Sequence, residues 1–231
     1  MNSKFLTAGA LLALVSCQAS LTSEQSLIED LATQEGLKGK SEYLASPFVA
    51  AGDRVYLIGH QNGSFPDLGW HVEGEMGGIW LHPIKLMDGF TASINVDGQS
   101  YCLDKAQSFT NYPFSNVLQF PLENSGLEVE RMQFVPDGKE GMTVLFRVKN
   151  VDKSEKSFDF EFSGHTDLMP VWLGDRAGME DFEDRLSFDE SRQAWLGKDD
   201  GNEWYVLFGA NQKAKTSEGA SATCNYSPQG K

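Results

Sequence analysis

The 231-residue chain predicts an all-β fold: a large antiparallel β-sandwich with a short N-terminal helix after a signal peptide. Three observations carry this. Apolar and polar residues alternate in many short runs across roughly residues 41–210, the period of half-buried strands. The runs are separated by Gly, Pro, Asp and Asn, the residues that turns require. No long amphipathic helices intervene, which argues for stacked antiparallel sheets over a parallel α/β sheet.

In chain order, Thr22 to Gly36 carries the one helix signal, with Leu27, Ile28, Leu31 and Ala32 on one face and Thr22 or Ser23 to cap. "DRVYLIGH" reads as a short apolar strand. "ASINVDGQSYCL" is a hairpin whose flanks meet at Asp97-Gly98, a pair suited to a type I′ turn. Pro121 interrupts "NVLQFPLE", which suggests an edge strand or a bulge. "GLEVERMQFVPDG" alternates, slips register around Arg131-Met132 and closes at Pro-Asp-Gly. Val144, Phe146 and Val148 share one face, and Phe158, Phe160 and Phe162 share another; the two runs read as an antiparallel hairpin with one buried face. "RLSFDESRQAWLGKDDGNEWYVLFGA" adds three short strands. Glu180 to Asp184 reads as a solvated loop, and Asn211 to Lys231 as loop or disorder.

The ends and the charge set the context. Lys4, the apolar run Phe5 to Val15 and then Ser16-Cys17 form an export signal that resembles a lipobox, with Cys17 the acylated residue. The expected partition is 1–16 lipoprotein signal peptide, 17–40 tether and short helix, 41–210 sandwich, and 211–231 tail or boundary to a further domain. A net charge of −14 argues against nucleic acid as partner. A lipid anchor is then the expected contact with a membrane, in the bacterial cell envelope, periplasmic or outer-membrane. Cys102 and Cys224 could pair there, but the weakly structured surroundings of Cys224 speak against it. No HExxH or CxxC motif occurs, and no cofactor or metal is expected.

One segment fits neither period. "GWHVEGEMGGIWLHPIKLMDGF", Gly69 to Phe90, reads as a long structured loop entering a short strand near Ile79-Trp80-Leu81. Trp70 and Trp80 have flat faces that can stack on a sugar ring. His71, Glu73, Glu75, His82 and Asp88 can bond its hydroxyls. An alternative stays open: the Trp residues plug the sandwich and the carboxylates bond loop amides.

The block "GSFPDLGWHVEGEMGGIWLHPIKLMDGF" resembles the N-terminal region of bacterial glycosidases related to glycoside hydrolase family 63, of the glycogen-debranching or mannosyl-oligosaccharide-glucosidase type. The resemblance implies a supersandwich-like β-domain followed by an (α/α)6 toroid that carries the acid and base of an inverting reaction. No toroid sequence is present, so no catalytic residue is carried over. The expectation is a non-catalytic sandwich that supports the missing domain and meets an oligosaccharide substrate through it. A stand-alone carbohydrate-binding or structural lipoprotein is the alternative.

Overall fold

The computed structural model describes residues 35–65, 67–69, 75–113, 115–219 and 223–224, within the unit Glu35–Lys231. Cys17, Trp70, His71, Glu73 and the expected helix as far as Gln34 lie outside these residues. The strands are β1 (Leu37–Lys38), β2 (Pro47–Ala51), β3 (Tyr56–His60), β4 (Gly78–Leu81), β5 (Ile84–Val96), β6 (Gln99–Cys102) and β7 (Ser108–Tyr112). They continue as β8 (Ser115–Leu122), β9 (Leu127–Phe134), β10 (Thr143–Asn150), β11 (Phe158–Pro170), β12 (Asp184–Asp189), β13 (Ala194–Asp199) and β14 (Tyr205–Gly209). Three antiparallel sheets result. The first runs β1-β7-β8-β9-β10 and the second β11-β5-β4-β3-β2, with β6 beside β5. The third is the meander β12-β13-β14. The all-β sandwich expectation holds.

The core lies between the first two sheets. Phe48, Leu57, Phe90 and Ile94 of the second sheet meet Phe109, Leu118, Phe120 and Val129 of the first, all buried. Each such side chain contributes about 1.5–3 kcal/mol by leaving water. The β5–β6 hairpin turns at Asp97 and Gly98, both with positive φ (53° and 77°), between Val96 and its partner Gln99. That is the type I′ geometry expected of an Asp-Gly pair.

Four sequence expectations are corrected, and a fifth, the edge at Pro121, holds locally. The residues Ile84 to Phe90 are not loop but the first half of the long strand β5, hairpinned to β4 through His82-Pro83. Pro121 lies in an interior strand without a bulge. The pairing with β7 stops at Ser108 opposite Gln119, so the strand is locally an edge where Pro121 sits, as the sequence suggests. The register does not slip at Arg131: β9 pairs regularly with both neighbours, and Arg131 takes its turn on the inner face. There its guanidinium lies over Phe90 (5.1 Å) and Phe120 (5.5 Å) and donates from Nη2 to the Gly63 carbonyl at 2.9 Å. Burial pushes its pKa down to about 9.

The Val144–Val148 and Phe158–Phe162 runs do not form a hairpin. β10 pairs with β9, and β11 pairs with β5 in the other sheet. Their apolar faces meet across the sandwich, with Phe146 at 4.9 Å from Phe160 and 6.3 Å from Phe162. Cys102 and Cys224 do pair, as a disulfide with Cα atoms 5.7 Å apart. Although Cys224 lies outside any strand, it is buried, and its neighbour Thr223 donates from Oγ1 to Glu161 at 3.0 Å. These contacts hold the segment against the outer face of β5 and β11.

Candidate functional site

The outer face of the second sheet carries the chemistry, and register explains how. Tyr56 pairs with Trp80, and Trp80 with Lys85, so the three form one row across β3, β4 and β5. β5 and β11 fall out of register around His165, Thr166 and Met169. This irregularity turns Asp88 to the same side as Lys85 and brings Asp167 beside them. Lys85 Nζ bonds Asp88 Oδ1 and, at 3.3 Å, Asp167 Oδ2. Lys85 has no solvent exposure, and both carboxylates are buried. Nearby, His165 Nε2 lies 3.4 Å from the Thr91 hydroxyl.

Desolvation governs the protons. Burial pushes the Asp167 carboxyl up to about 7; the Asp88 carboxylate, hydrogen-bonded to it, adds to the rise, and Lys85 opposes it. Burial lowers the His165 imidazole to about 4 despite the pull of Asp88. Near neutrality His165 is therefore neutral, and Asp167 is close to the midpoint of its titration. The arrangement can store and orient charge.

Of the sequence candidates, Trp80 and Asp88 come together in this cluster. Trp80 is only 2% exposed; its Nε1 donates to the Gly77 carbonyl at 2.9 Å and its ring stacks on Tyr56 at 6.3 Å. Glu75 is buried in the turn that leads into β4, beside Met76, whose amide donates to the Leu68 carbonyl at 2.7 Å. His82 is exposed at the β4–β5 turn. Gly78 (φ 93°) is required because a Cβ there would run into the Met87 carbonyl. Sequence reasoning missed Lys85, Asp167 and His165. A signal existed for one of them: Lys85 and Asp88 are opposite charges three residues apart inside an apolar run, the mark of a buried pair.

Comparison with family models, with curated proteins and with solved structures finds no match to this chain.

Proposed function

We propose that the chain is the non-catalytic β-sandwich part of an envelope-anchored α-glycosidase of the glucosidase or debranching type. In this reading it supports a separate (α/α)6 catalytic domain and lends that domain's sugar site the segment that leads into β4. One observation supports it above the others: the buried carboxylates of the cluster are both committed to Lys85. Lys85 Nζ bonds both Asp88 Oδ1 and Asp167 Oδ2, so the two carboxyls share one cation. An inverting pair instead needs its carboxyls about 6.5–9.5 Å apart, with room for a water. A locked, buried ion cluster is suited to holding the strands around it rigid, which is what a positioning module needs.

The test is turnover. Purified chain incubated with α-linked gluco-oligosaccharides is expected to release no glucose above background. Release that copurifies with the chain and vanishes in Asp88→Asn, with that variant's melting temperature retained, overturns the reading.

A second reading, a stand-alone carbohydrate-binding module, has one feature in its favour. A groove of about 320 Å³ between β11, the third sheet and residues 210–219 is lined by Phe188, Trp195, Gln193, Ser163 and Gln212. Aromatic faces with amides and hydroxyls around them suit a neutral sugar. Oligosaccharide binding that is lost in Trp195→Ala, without any catalytic domain present, favours this reading instead.

A further inference from the structure

The first sheet ends at β10 and the third at β14, and no described strand pairs with the outer edge of either. A groove of about 510 Å³ lies between them. Met142 and Val144 line one side, every residue of β14 lines the other, and Ile79, Ile84, Leu86 and Phe90 of the second sheet form part of its floor. An open strand edge presents a row of unpaired N–H and C=O groups, and folded proteins usually protect it with Lys, Pro, a bulge or a cover. β14 reads Tyr-Val-Leu-Phe-Gly, with no charge and no proline; Tyr205 is 59% exposed and Leu207 51%.

We propose that this groove is a docking site for one extended β-strand of a partner polypeptide. The strand pairs with the edge of β14, faces that of β10, and seats its inward side chains on the apolar floor. A small apolar ligand would fill the floor but leave the backbone edge unpaired; a strand satisfies both. Charge selects the partner. The lining includes Glu140 and Glu203 and no Lys or Arg; Arg54 and Lys198, outside the lining, bond these two carboxylates at 2.6 and 3.3 Å, so the preference for a basic strand rests on the charge of the whole chain. The chain as a whole carries −14. The complement is therefore a strand with apolar inward positions and basic flanks. A second copy of this chain, equally acidic, is disfavoured. The inference goes beyond the sugar reading and stands or falls separately from it.

The test uses the purified chain and a fluorescein-labelled Lys-Val-Thr-Val-Thr-Val-Thr-Val-Lys peptide. Anisotropy is expected to rise to saturation at micromolar protein. Replacing the peptide's central threonine with proline, or its lysines with glutamates, should weaken binding about ten-fold or more. Leu207→Lys in the protein, at an exposed position that tolerates charge, should do the same with an unchanged melting temperature. Amide exchange in β10 and β14 should slow on binding. The proposal is overturned by absent binding, by equal binding of the proline peptide, by indifference to Leu207→Lys, or by protection elsewhere. A concentration-dependent dimer that Leu207→Lys dissociates also overturns it, because the occupant is then a second copy.

Discussion

A lysine ammonium without solvent exposure is tolerable only while carboxylates surround it, because each buried charge loses several kcal/mol of hydration. Lys85 has Asp88 and Asp167. Lys85→Met leaves two buried carboxyls without their cation, and we expect a loss of about 3–5 kcal/mol, measured by urea unfolding. Neutralising the whole cluster with Asn at both aspartates alongside Met should recover part of it. The same residues predict opposed pH dependences. Asp167 titrates near 7 when folded and near 3.9 when unfolded, so between about pH 4 and 7 the folded state holds the extra proton. Its contribution to stability falls as pH rises through that window. His165 titrates near 4 when folded and near 6.5 when unfolded, so the unfolded state holds the extra proton between these values. Its contribution rises with pH and is lost on acidification. The two slopes offset one another in the native protein. Asp167→Asn should leave a stability that increases from pH 4 to 6.5, and His165→Gln one that decreases. Unfolding free energies of both variants across that range check this, and parallel profiles would refute it.

At the scale of elements, the β5–β6 hairpin and the disulfide make separable contributions. Gly98 has φ 77°, and a Cβ there meets nothing within 4 Å. Gly98→Ala therefore carries only the backbone cost of a left-handed alanine, about 1–2 kcal/mol, readable as a lower urea midpoint with an unchanged slope. The Cys102–Cys224 bond spans a sequence separation of 122 residues. Closing so long a loop restricts the unfolded chain, and Cys224→Ser should lower stability by about 2–4 kcal/mol, as reduction of the native protein should. Both the hairpin and the three-stranded meander were legible because turn chemistry and alternation are local. The strands β10 and β11 were not: each has a readable apolar face, but a face does not say whether its complement lies beside it in one sheet or opposite it in another. The irregular segment misled for a related reason. Lys85 and Asp88 look like solvent residues, and only their mutual contact makes the strand position acceptable.

For the molecule as a whole, anchoring is tested apart from the fold. If Cys17 is acylated, the protein partitions with membranes and incorporates labelled palmitate. Cys17→Ala abolishes both, and equal labelling of the variant would end the lipoprotein reading. If such an acyl anchor, and not a spanning segment, provides the attachment, deleting residues 1–22 should leave a domain that stays in solution. The described core, built from strands after residue 35, predicts that this truncation melts at nearly the same temperature as the longer chain.

The amino-acid sequence by itself determined the all-β class, the positions of most strands, the Asp97-Gly98 turn and the acidic surface charge. These depend on periodicity, turn residues and composition, which act over a few residues. Only the tertiary structure decided that Arg131 lies inside the sandwich under two phenylalanines, that Lys85 joins Asp88 and Asp167, that Trp80 is covered, and that Cys224 reaches Cys102. Each of these needs a partner distant in sequence or a specific register. Burial then reverses the ordinary preference of a charged or exposed side chain by supplying the contacts that replace water.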